Sequence, residues 1–117
     1  MGEDPDREGL QDTPARVVKA YRELAARPGD PAQLLGRVFT DTDYDSDEMI
    51  AVGPIRFVSL CEHPLRPFTG GAVVGYIPDG ARVVGLSRIP RAVEHYAQRP
   101  QVQERLTTQI AAAMNDH

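Results

Sequence analysis

Two segments that read as β-strands flank one short stretch, and that pairing constrains the fold more than anything else in the chain. From Met49 to Ser59 the side chains alternate, with Ile55, Phe57 and Ser59 on one face and Arg56, Val58 and Leu60 on the other. Gly53-Pro54 marks a bulge or bend within this strand. Thr69 to Ile77 reads as the second strand. Between them lies Ser59-Leu60-Cys61-Glu62-His63-Pro64-Leu65-Arg66-Pro67-Phe68-Thr69-Gly70, which holds the chain's single cysteine. A thiolate and an imidazole two residues apart can face one ion if the backbone turns between them, so Cys61 and His63 are candidate zinc ligands.

The remaining segments supply helices and turns. The acidic opening through Glu8 reads as weakly structured. Thr13 is placed as an N-cap with Pro14 at the first helical position, where its missing N–H is harmless. Val17, Tyr21 and Leu24 then form an apolar stripe that ends at Pro28-Gly29. Arg16 and Lys19 share one face of this helix. Asp30-Pro31 repeats the cap-plus-proline signal before Leu34, Leu35, Val38 and Phe39, which predicts a second, shorter helix. Asp41, Asp43, Asp45 and Asp47 lie in an acidic stretch that lacks the glycine and terminal glutamate of a calcium loop, and it reads as a solvated loop.

After the second strand, Pro78-Asp79-Gly80 is a turn before Val83-Val84-Gly85-Leu86, and an antiparallel meander is expected. Ser87 caps a helix with Ile89, Val93 and Tyr96 on its apolar face. Arg88 and Arg91 fall in its first turn, where backbone N–H groups and the dipole favour anions. His95 reads as a surface residue. Pro100 breaks this helix and opens the next, in which Val102, Leu106, Ile110 and Met114 recur every four residues.

A length of 117 residues fits one small domain. No apolar run approaches a membrane span, and Met1-Gly2-Glu3-Asp4 has neither the basic nor the apolar region of a secretory signal, so a cytoplasmic protein is expected. One cysteine excludes an internal disulfide. Net charge is −4, with 12 acids against 6 bases in residues 1–50 and 5 against 7 in residues 51–117. The second half is thus the better anion binder. No basic stripe with interleaved aromatics is present, and nucleic acid is not expected as a partner.

Taken together, Arg7-Glu8-Gly9-Leu10, Asp12-Thr13-Pro14-Ala15-Arg16-Val17, Cys61-Glu62-His63, Gly75-Tyr76-Ile77-Pro78, Gly85-Leu86-Ser87-Arg88 and Gln101-Val102-Gln103-Glu104-Arg105-Leu106-Thr107 resemble the signatures of GTP cyclohydrolase I, in order. The resemblance implies an α+β chain of the tunnelling fold (T-fold). Residues 1–48 would form the N-terminal helices and acidic loop, and 49–117 the first ββαα half of the catalytic unit. It also implies a homo-oligomer, toroidal in the family, and GTP as the ligand. The family converts GTP and water into 7,8-dihydroneopterin triphosphate and formate, the first step of folate and pterin biosynthesis, using zinc-activated water.

By the same resemblance Cys61 is a zinc ligand and His63 an acid/base residue. Glu104, with Gln103 beside it, reads the guanine edge. Leu86, Ser87, Arg88 and Arg91 contact the nucleoside and triphosphate, with Arg88 standing where the family usually has lysine. Arg16 and Lys19 reach the triphosphate of a neighbouring subunit, which makes the site intersubunit.

Two departures follow. Pro64 replaces a ligating histidine and carries no ligand atom. The family's third ligand is a cysteine on a later strand, and this sequence has no second cysteine. The expectation is a truncated, zinc-poor homologue, impaired in catalysis as this chain alone. A non-catalytic GTP-binding or assembly module is the alternative. A third possibility makes Cys61 a nucleophile, as in the nitrile reductases of the same fold. The absent strands would leave an edge and the apolar helix face open, to be covered by oligomerisation or a partner chain.

Overall fold

A computed structural model of the chain describes residues 2–40, 48–80 and 82–117. In chain order the elements are α1 (Glu8–Gln11), α2 (Thr13–Leu24), α3 (Pro31–Leu35), β1 (Val38–Phe39), β2 (Ile50–Cys61), β3 (Pro67–Tyr76), β4 (Val83–Val84), α4 (Arg88–Ala97), β5 (Pro100–Gln101) and α5 (Gln103–Asp116). The architecture is α+β. The expected loop at Asp41–Asp47 lies outside the described residues.

The two alternating segments form a long antiparallel hairpin, in register from Ile50 opposite Tyr76 to Leu60 opposite Pro67. Its register shifts between Val52 and Ile55, at Gly53-Pro54, where the bulge was expected. Helices α4 and α5 cover one face of the hairpin. Ile89, Ala92, Val93 and Ala97 of α4 meet Leu106, Ile110 and Ala113 of α5, Val74 of β3 and Leu35 of α3. Ile55, Phe57, Ala72 and Tyr76 pack against this core from the sheet, as the period-two pattern requires.

Several expectations need correction. The hairpin does not continue as a meander: β4 pairs with β1, as Val38 opposite Val84 and Phe39 opposite Val83. Val38 and Phe39 are therefore strand rather than helix, and α3 stops at Leu35. Pro100 does not open the last helix; with Gln101 it forms β5, parallel to the end of β2, and α5 begins at Gln103 with Val102 as N-cap. The residue preceding α2 is Asp12 rather than Thr13. The cap at Asp30 is as read, its carboxylate accepting from the Ala32 N–H at 3.2 Å.

His95 is buried at 9% exposure, not a surface residue. Its Nδ1 lies 3.0 Å from the Pro28 carbonyl, which can only accept, so Nδ1 carries the proton. The contact ties the segment after α2 to α4. By contrast, the α2 stripe is largely uncovered, with Val17 and Tyr21 both exposed. Tyr21 makes one long-range tie from α2, its hydroxyl donating to the Leu65 carbonyl at 2.9 Å.

Candidate functional site

Cys61 ends β2, and its backbone N–H donates to the Arg66 carbonyl at 2.8 Å, closing the turn that carries Glu62, His63, Pro64 and Leu65. The thiol is half-buried and His63 is exposed. Cys61 lies opposite Gln101 in the parallel β2–β5 pair, and the Glu62 N–H donates to the Gln101 carbonyl at 3.1 Å. Two residues later α5 starts with Gln103 and Glu104, both exposed. The short β5 bridge thus brings the Cys61-Glu62-His63 segment beside the Gln103-Glu104 segment.

A second link closes the same corner. Arg105 Nη2 donates to Glu62 Oε2 at 2.6 Å, joining residues 43 positions apart. Both side chains are about one-third exposed or more, so the pair adds little to stability, on the order of 0–1 kcal/mol. Its effect is geometric: it fixes the first turn of α5 against the Cys61 turn. The sequence signal for it was weak, since Glu62 and Arg105 each sit inside a motif with nothing to show that they meet.

Beneath this corner lie two buried polar side chains. Ser59 Oγ donates to the Ala97 carbonyl at 2.7 Å, pinning β2 to the end of α4. Gln101 has no exposed surface. Its Nε2 donates to the Tyr96 carbonyl at 3.1 Å and to Gln109 Oε1 at 2.9 Å, and its Oε1 accepts from the Val102 N–H at 3.2 Å. Neither residue stood out in the sequence as more than part of a strand or motif.

Arg99 sits at the same end of α4. Its Nε is buried without a hydrogen-bond partner among the described residues. Burial pushes the guanidinium pKa down, and the positive charges of Arg27 and Arg105 push it the same way, with Tyr96 opposing. The Tyr96 phenol is pushed up, first by burial, then by Asp116.

The residues expected from the sequence to bind anions lie elsewhere. Ser87 precedes α4 and makes no side-chain cap bond, Arg88 and Arg91 are in the helix's first turn, and Leu86 is 62% exposed. The end of β2 is met by Ala97 at the other end of this helix, and Arg88 stands roughly 14 Å along the axis from Ala97. Arg16 and Lys19 are also turned away. Tyr21 faces the Cys61 turn, and at about 100° per residue both basic side chains leave α2 from the opposite side. There Arg16 bonds to Gly9 and Thr13, and Lys19 lies 4.0 Å from Glu23. One chain brings the Cys61 and Glu104 segments together but leaves the basic residues on separate surfaces.

Among the described residues no group of three His, Cys, Asp or Glu side chains is placed to hold a metal ion. Beside Cys61 and His63 the chain offers Pro64, which has no donor atom. These residues do not fit a catalytic zinc site, which needs three protein ligands. Among the described residues no helix is long and apolar enough to cross a membrane.

Comparison with known proteins identifies the family. The chain is 52% identical over 115 residues to GTP cyclohydrolase 1 of Desulforamulus reducens, covering 97% of this chain and 60% of the relative. It is 53% identical over 116 residues to that of Streptomyces coelicolor and 56% identical over 117 residues to that of Mycobacterium ulcerans, covering 97% of this chain and 56% of each relative. It therefore spans little more than half the length of these relatives. The sequence profile of GTP cyclohydrolase I matches residues 1–117, and the chain belongs to the GTP cyclohydrolase I family.

Proposed function

We propose that this chain forms part of a guanine-nucleotide site of the GTP cyclohydrolase I type, assembled between copies of itself, with ring-opening hydrolysis impaired in this chain alone. The observation that carries the reading is the joining of Cys61-Glu62-His63 to Gln103-Glu104-Arg105 through the 2.6 Å Arg105–Glu62 pair and the β2–β5 bridge. In this reading the Glu104 carboxylate accepts from the guanine N1–H and 2-amino group, with Gln103 beside it. Leu86 and Ser87 meet the nucleoside, and Arg88 and Arg91 the triphosphate.

Arg16 and Lys19 serve the triphosphate of a neighbouring copy. Their separation from the Cys61 corner supports a homo-oligomer of T-fold subunits. His63, exposed beside Cys61, is the group able to move a proton there. The impairment rests on Pro64, because the family reaction uses zinc and the donor set here does not fit it. The free Cys61 thiol suits a cytoplasmic setting.

Titration calorimetry with GTP and ATP, run beside an absorbance assay for dihydroneopterin triphosphate with zinc added, tests this. GTP-selective binding with little or no turnover is expected. Robust turnover with one zinc per chain overturns the impairment. No binding at millimolar nucleotide overturns the nucleotide site and leaves the alternative, an assembly module.

A further inference from the structure

We propose that Gln101 is a positioning residue that sets where Gln103 and Glu104 stand relative to Cys61, and so determines how well the site tells guanine from other purines. The selectivity part rests on the proposed reading of Glu104 as the guanine acceptor; the positioning part rests on geometry alone. Gln101 is fully buried, and a buried carboxamide is tolerated only where its polar atoms are matched. Here three bonds are made to three different parts of the fold. Nε2 reaches the Tyr96 carbonyl in the last part of α4 and Gln109 Oε1 in the second turn of α5, while Oε1 holds the Val102 N–H at the entry to α5.

The partners fix the orientation of the amide. A carbonyl can only accept and a backbone N–H can only donate, so the nitrogen must face Tyr96 and the oxygen Val102. Meanwhile the Gln101 main chain pairs with Cys61 and accepts from the Glu62 N–H at 3.1 Å. One residue thus binds the end of β2 through its backbone and the start of α5 through its side chain. An apolar side chain of the same size fills the space but sets no angle between α5 and β2, since dispersion is non-directional. The partly exposed Arg105–Glu62 pair alone is too weak to replace it.

The test compares Gln101→Met, which keeps length and volume and removes the three bonds, with Gln109→Leu, which removes one bond from outside the pocket and serves if the first variant folds poorly. Two readouts are needed. The first is the affinity ratio of GTP to ITP, which lacks the 2-amino group. The second is amide exchange at Glu62, whose acceptor is the Gln101 main-chain carbonyl that neither substitution touches. In Gln101→Met the GTP preference is expected to fall by about tenfold or more, the worth of a charge-assisted hydrogen bond, with ITP, which offers Glu104 only its N1–H, losing less affinity than GTP. Exchange at Glu62 is expected to rise more than at Val74 in the hairpin. Gln109→Leu is expected to shift both in the same direction by less.

A purely structural role predicts lowered stability, with the preference retained and exchange raised evenly across the domain, and either of those two results overturns the positioning role. If the unsubstituted chain shows no GTP-over-ITP preference, the guanine reading fails on its own, and the Glu62 exchange comparison still decides whether Gln101 positions α5.

Discussion

Pro64 and Tyr96 show how single side chains decide chemistry at the Cys61 corner. Pro64 follows His63 in a turn closed by the Cys61–Arg66 backbone bond, and its ring offers no donor atom. Pro64→His adds an imidazole to the turn that already carries Cys61 and His63. Three donors within four residues should raise zinc affinity by at least about tenfold, since a metal site strengthens with each added ligand. Competition against a chromogenic chelator checks this; an unchanged affinity would mean that the turn cannot aim its donors at one ion. Tyr96 predicts a pH effect of definite sign. Its phenol pKa is raised by burial and by Asp116 and Asp30, with Arg99 opposing, so the fold favours the neutral form. That stabilisation is complete below the unfolded value of about 10 and is lost as pH rises through the higher folded value. Urea midpoints from neutral to strongly alkaline pH should fall less steeply in Tyr96→Phe than in the unsubstituted chain.

The hairpin is the element on which the rest is hung, and its bulge is its most demanding point. A Cβ added at Gly53 would stand 2.9 Å from the Ala72 carbonyl oxygen and 2.9 Å from Val73 Cγ2. The carbonyl is backbone of the paired strand and cannot swing aside. Gly53→Ala should therefore destabilise the chain by about 1–3 kcal/mol, in the range of other forced close contacts; denaturant midpoints measure it, and a neutral result would mean that the strands separate locally at no expense. This bulge was legible in the sequence because Gly-Pro interrupts a strong period-two pattern. The same holds for α2, α4 and α5, whose apolar positions recur over several turns. The two-residue strands β1, β4 and β5 were not legible, because two residues carry no period. Val38 and Phe39 looked like the end of a helix, although β4, some 45 positions away, claims them. His95 was misread for a related reason: its partner Pro28 is 67 residues distant. Cys61 and Glu104 each stand out singly within a sequence motif, whereas the pairing of Glu62 with Arg105 exists only once β5 has been laid beside β2.

At the scale of the molecule the chain is far from spherical. Its radius of gyration is 18.8 Å and its extents are 66 × 22 × 20 Å, whereas a compact chain of this length would have a radius of about 13 Å. Elongation leaves apolar surface uncovered: Val17 and Val18 on α2, and Met49, Val73 and Ile77 along the hairpin, are 46%, 50%, 65%, 69% and 60% exposed. Strand β3 is also the outer strand of the β3–β2–β5 sheet, so one of its edges offers backbone groups for pairing. Such an edge invites another strand. The basic residues that one chain holds away from its own Cys61 corner are, on the proposed reading, brought to a neighbour's. Exposure, edge and divided site therefore point to the same remedy, self-association through the hairpin. Sedimentation velocity should give a mass that is a multiple of 12.9 kDa, and Val73→Lys should move it toward that single-chain value by placing a charge on the outer strand. Val17→Lys on α2 should shift the distribution less if the hairpin is the main contact. A single-chain species that persists at high concentration without precipitating would rule out self-association, and GTP binding by that species would show that a divided site is not required.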